Sequence, residues 1–239
     1  MDDNTGVDYD LMQDSPTQNY STLNPLPKGV NLSKFDNANL TAYSVSDTYT
    51  PIFSTICMPR SGKWYLERVI STFSGVGVEL ASAIGTNTSA QVTMGLNPSV
   101  VFRALGSTGA GIALDGTQNA GGTLPAAFQT SAQGKTARIM FDLDASPPTL
   151  TVEIDGTSES ANFTDGLTTA EQDYVVYLQN NVSGTQDVNF GQQPFLYSPP
   201  AGFTALQTQN LPDALIANGR DYFQALTGPG DGAAAAQLG

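Results

Sequence analysis

There is no histidine in this 239-residue chain, and that absence removes more chemistry than any residue present supplies. Without imidazole there is no Ser-His-Asp or Cys-His nucleophile system, no His-ligated zinc, and no side chain that ordinarily titrates near neutrality. Cys57 is the sole cysteine, so no intrachain disulfide and no cysteine-based metal cluster can form. It reads as a small buried apolar residue. Lysine and arginine number 9 against 22 aspartates and glutamates, a net charge of −13. Cations this sparse make no patch, which argues against a sequence-independent grip on nucleic acid or an anionic membrane. No apolar run approaches a bilayer span, and MDDNTGVDYD carries neither the basic nor the apolar region of an export signal, so no membrane insertion is expected.

What is there is β-structure in an uncharged polar coat. Only 13% of residues are charged and 40% are apolar, so Ser, Thr, Asn, Gln and Gly must dominate the surface. NLTAYSV, IFSTICM, KWYLERVI, GVGVEL, SVVFRAL, ARIMFDLD, TLTVEID and YVVYLQN are short segments rich in β-branched and aromatic residues, separated by Gly, Pro, Asn and Ser clusters. That spacing predicts an all-β, two-sheet antiparallel sandwich or a barrel. Residues 1–30, acidic and Pro-punctuated, read as an extended arm; 31–212 hold the sandwich; 213–239 read as a linker or tail. Only TTAEQD and the terminal GDGAAAAQLG have helical composition, and both are too short to stand alone.

In KWYLERVI the alternation places Trp64, Leu66 and Arg68 on one face and Tyr65, Glu67 and Val69 on the other, as in a central strand. ARIMFDLDASPPTLTVEIDG predicts a hairpin. Ile139, Phe141 and Leu143 face the core with Leu150, Val152 and Ile154 returning beside them, and Asp142 and Asp144 lie on the wet face.

With imidazole absent, enzymatic chemistry reduces to paired carboxylates of the glycosidase type, for which Glu67, Glu79, Glu153 and Glu159 are the available acids. No spacing singles out a pair, so no catalytic residue is assigned. Asp142 and Asp144, two apart on one strand face, are the candidates for a shared hard cation such as Ca2+; the alternative is that both are solvated strand residues that discourage edge pairing. GVGVEL and GSTGAGIALDG are Gly-rich without the strand-to-helix context of a phosphate-binding loop and read as turns. Trp64 reads as a core anchor rather than a sugar-stacking platform, and tyrosines such as Tyr20, Tyr43 and Tyr49 as the exposed contact set.

The stretch VNFGQQPFLYSPPAGFTALQTQNLP, Val188 to Pro212, packs aromatic anchors between rigid corners and predicts a closing strand with Phe190 and Phe195 in the core. Taken with SGKWYLERVI and MFDLDASPPTLTVEIDGT, it resembles a SPRY domain, and more closely the SPRY-like modules of phage and other viral virion proteins, whose closing segment is of the form NFGQRPFAYTPPAGFKALCTQNLP. DSPTQNYSTLNPL also resembles the lead-in of the phage modules. The chain departs from that pattern at Leu66, where an aromatic is usual, at ASPP in the hairpin turn, and at Gln193, where arginine is common.

The resemblance implies a concanavalin A-like jelly-roll sandwich and no catalysis. It implies a virion-surface structural or recognition protein (tail fibre, spike or capsid decoration) whose partners are other virion proteins, further copies of itself and a host-surface receptor or glycan. A lectin-like module for host glycans is the alternative.

Overall fold

The computed structural model describes residues 19–25, 32–44, 50–70, 74–80, 99–104, 111–114, 133–163, 165–168, 173–180 and 184–212. Its strands are β1 (Leu32–Asp36), β2 (Thr41–Ser44), β3 (Thr50–Phe53), β4 (Lys63–Val69), β5 (Ser74–Leu80), β6 (Ser99–Ala104), β7 (Gly111–Leu114), β8 (Thr136–Asp142), β9 (Thr149–Ile154), β10 (Thr157–Asn162), β11 (Tyr174–Asn180), β12 (Gly184–Asn189) and β13 (Thr204–Ala205). One sheet runs β1-β2-β12-β4-β8-β9-β10, with β13 added along β4; the other runs β3-β11-β5-β6-β7. Every pairing is antiparallel except that of β13 with β4.

The expected two-sheet sandwich is the fold observed, and period-two patterning is its cause. Trp64, Leu66, Ile139, Phe141, Leu150, Val152 and Ile154 of the larger sheet meet Ile52, Val76, Val78, Tyr174, Val176 and Leu178 of the smaller in one buried core. Facing partners match the pairing register: Leu66 lies opposite Ile139, and Ile139 opposite Val152. A one-residue slip of β8 would exchange these for Arg138 and Met140, which fixes the register. The β9–β10 hairpin turns on Asp155 and Gly156, both at positive φ (51° and 75°), the two-residue turn whose twist suits adjoining antiparallel strands.

Segment 19–25 is laced into one end of the sandwich. The Ser21 N–H donates to Leu206 O, Leu23 N–H to Asn39 O, and Asn24 N–H to Phe53 O, so it bonds to both sheets, and Leu23 is fully buried.

GVGVEL is strand β5, as its place among the β-rich segments predicts, with Val76 and Val78 in the core, and the GIAL of GSTGAGIALDG is strand β7; both correct the reading of these Gly-rich stretches as turns. Helical backbone occurs at Asp165–Thr168, a single turn that takes in the first residue of TTAEQD; residues 169–172 and the terminal GDGAAAAQLG lie outside the described residues. The outer face of the β8–β9 hairpin is not uniformly wet, since Met140 is buried there.

Candidate functional site

The cover over that outer face is the Val188–Pro212 segment. β12 leaves the edge of β4 where Asn189 lies opposite Glu67 and rejoins the same edge as β13, with Thr204 opposite Trp64 and Ala205 opposite Tyr65. Residues 190–203 between them form a strap over the outer side chains of β4 and β8. Local chemistry sets its path. The Asn189 amide donates to Gln193 O (3.1 Å) and Pro194 O (3.3 Å) and accepts from Gly191 N–H (2.8 Å), winding the chain around one side chain. Gly191 has φ 114°, and a Cβ there would lie 2.6 Å from the Ala205 Cβ, so only glycine fits. Phe190 drops into the core, but Phe195 does not: it is half-buried on the outer face, edge-to-face with Tyr65 at 4.7 Å between centroids. The strap runs above the sheet rather than into it, which corrects the core assignment of Phe195.

Beneath the strap a polar row crosses five strands: Asn189, Glu67, Arg138, Glu153 and Ser158 are successive cross-strand partners. Glu67 is buried and serves as a clasp. Its Oε1 accepts from the Tyr65 hydroxyl and the Tyr197 N–H, and its Oε2 from the Leu196 N–H, all at 2.8 Å. Charge-assisted bonds of this kind are among the strongest a fold contains. Burial first, and the hydrogen bond to Glu67 next, push the Tyr65 phenol well above its usual pKa. Arg138 holds the strap's far side: it pairs with Glu153 at 2.6 Å, donates to Ser198 O at 3.2 Å, and lies over the Tyr197 ring at 5.6 Å. Lys63 pairs with its cross-strand neighbour Asp142 at 2.6 Å and lies 5.7 Å over the Phe203 ring.

The clasp turns the backbone N–H groups of Leu196 and Tyr197 inward and leaves their side chains exposed. Leu196 is 68% exposed and Tyr197 37%; with Val69 at 39% they are the exposed large apolar residues among those described. From Val188 to Pro212 there is no charged residue. At the strap's foot a cleft of about 200 Å³ is lined by Asn37, Thr41, Arg68, Asp187 and Asn189 among others. Thr41 donates to Asp187 at 2.6 Å. Burial pushes the Arg68 guanidinium down to about 9, and the Asp187 charge offsets part of that.

The residues singled out from the sequence fall as follows. Asp142 takes the Lys63 ammonium and the Ala145 N–H, while Asp144 accepts the Gly62 N–H at 2.7 Å. Among the described residues no group of three or more His, Cys, Asp or Glu is placed to hold a metal ion. Glu153 is tied to Arg138, Glu67 lies under the strap, Glu159 is on the edge strand β10 opposite Val152, and Glu79 is on the other sheet. Trp64 is a core residue, as expected, its indole N–H donating to Ser61 O. Cys57 is exposed, which corrects its burial: Met58, not Cys57, enters the core of that segment. Partial desolvation and the Asp173 carboxylate raise its thiol pKa. Tyr20 and Tyr43 are half-buried and Tyr49 is outside the described residues, so the exposed aromatic of the site is Tyr197.

No protein-family model matches the chain, and no curated protein does. Solved structures do. Stonustoxin is similar with a TM-score of 0.54 and 18% identity over 71% of this chain, which spans 27% of that one. The TRIM65 PSpry domain is similar with a TM-score of 0.52 and 13% identity over 72% of this chain and 92% of its own. The SPRY domain of human HERC1 has a TM-score of 0.49 and 14% identity over 72% and 99%. The first two establish the fold: a SPRY-like β-sandwich.

Proposed function

We propose that this chain is a non-enzymatic structural and recognition module of a virion surface, a tail fibre, spike or capsid decoration that assembles with other particle proteins and contacts the host. The observation that carries the reading is the strap: an uncharged ridge with Leu196 and Tyr197 exposed, clamped by Glu67 and Arg138, on a chain of net charge −13. A rigid patch with exposed Leu and Tyr loses little entropy on docking and supplies apolar contact, the two requirements of a protein-binding surface. The likeness of this same segment to the closing segment of phage modules supports the particle context.

The cleft beside the strap favours a second reading, lectin-like binding of host-surface glycans, because Asn37, Asp187 and Asn189 converge there. Immunogold labelling of purified particles, with pull-down of particle proteins by the wild-type chain and by Leu196→Asp, tests the first reading; a glycan array on the same samples tests the second. Label on particles and a captured particle protein lost with Leu196→Asp are the expected results. A chain absent from particles overturns the virion reading.

A further inference from the structure

We infer that the strap is a self-association surface: two copies of this chain meet ridge to ridge about a two-fold axis that passes near Leu196. This rests on the reading of the strap as an interaction surface and names its partner.

Charge decides the partner. Each copy carries −13, so two copies approaching on arbitrary faces repel. Over the strap that repulsion is small, because Val188 to Pro212 holds no charge and the cations beneath it are neutralised in place, Lys63 by Asp142 and Arg138 by Glu153. The same pairing argues against other occupants. An anionic partner needs an uncommitted cation on the ridge, and a basic one needs a carboxylate there; neither is found among the residues of the strap. What fits is a second uncharged, apolar, aromatic-bearing surface, and the strap itself is one. Interface centres are depleted of charge and enriched in aromatic residues, as this ridge is. An isologous contact uses one patch twice, so a single ridge suffices for closure. Leu196, the most exposed of its large apolar side chains, is the residue such an axis brings against its own copy.

Sedimentation velocity over about 1 to 100 μM, the range in which interfaces of ordinary size assemble, reads this directly. The wild-type chain is expected as a dimer, and Leu196→Asp and Leu196→Lys each as a monomer with an unchanged Tm, because a side chain so exposed contributes little to the fold. Mixing the two variants is expected to restore the dimer, since Asp and Lys then face each other across the axis. A monomeric wild-type chain overturns the inference. So does a Leu196→Asp variant that dimerises like wild type, or a mixture that stays monomeric. If the wild-type chain is monomeric yet captures a particle protein that Leu196→Asp loses, the self-association fails while the proposed function stands. If Leu196→Asp leaves both dimer and capture intact, the ridge is no interaction surface and both fail.

Discussion

Glu67 accepts three hydrogen bonds, one from Tyr65 on its own strand and two from the strap, so a single side chain joins sheet to strap. Its replacement by alanine orphans two backbone N–H groups and a buried phenol, an expected loss of about 3 kcal/mol in urea unfolding; Gln keeps one acceptor oxygen and is expected to lose roughly half that. Equal losses for the two variants would mean the carboxylate is not the clasp. Tyr65 gives the pH counterpart. Its folded pKa lies above the unfolded one, so its contribution is complete below the unfolded value of about 10 and fades as pH rises through the folded value. Tyr65→Phe keeps the ring against Phe195 and is expected to flatten the alkaline decline in Tm; an unchanged decline assigns that loss to other groups. Cys57, exposed with a raised pKa, is expected to react fully with a thiol reagent in the native chain, but at pH 8 more slowly than after unfolding. None of the three roles was legible in the sequence. Glu67 read as one of four available acids, on the strand face opposite Trp64, because alternation gives a side chain's face and not what lies over it.

At the scale of elements, legibility followed the apolar period. β4, β8, β9 and β11 were visible because alternate or continuous apolar residues mark them, whereas β10 (TSESAN) and β12 (GTQDVN) carry almost no apolar signal and are strands only through their neighbours. The strap was read correctly as a structural segment and incorrectly in its layer. A chain that re-enters the edge it has just left, in parallel, through a two-residue strand has no periodic signature at all. Its single most restrictive position is Gly191, where positive φ and the Ala205 Cβ both exclude a side chain. Gly191→Ala is expected to cost about 3 kcal/mol by summing backbone strain and overpacking, and to abolish ridge-dependent binding at temperatures where the core still melts cooperatively. Near-UV circular dichroism of the tyrosines, compared with far-UV signal on the same sample, separates loss of the strap from loss of the sandwich.

For the whole molecule, net charge sets association and the sandwich sets stability. If ridge-to-ridge contact is opposed by the mutual repulsion of two acidic copies, salt is expected to strengthen the dimer, since at about 0.15 M the screening length falls to about 8 Å; weakening by salt would point instead to an interface of complementary charges. The N-terminal lacing is expected to be obligatory. Leu23→Ala opens a cavity at a fully buried site, at about 3 kcal/mol, and a chain starting at Pro25 is expected to lose its cooperative transition. That lacing fixes one more property. Asn19 and Thr208 exchange two hydrogen bonds, and Tyr20 bridges Gln207 in antiparallel sense, so both flanks meet the sandwich at one doorway. Traction that draws the two flanks apart is expected to open this doorway like a zipper, one pair at a time, with the Ser21–Leu206 bond next and Leu23 after it. Traction on two flanks moored to a common base is expected to leave the zipper closed.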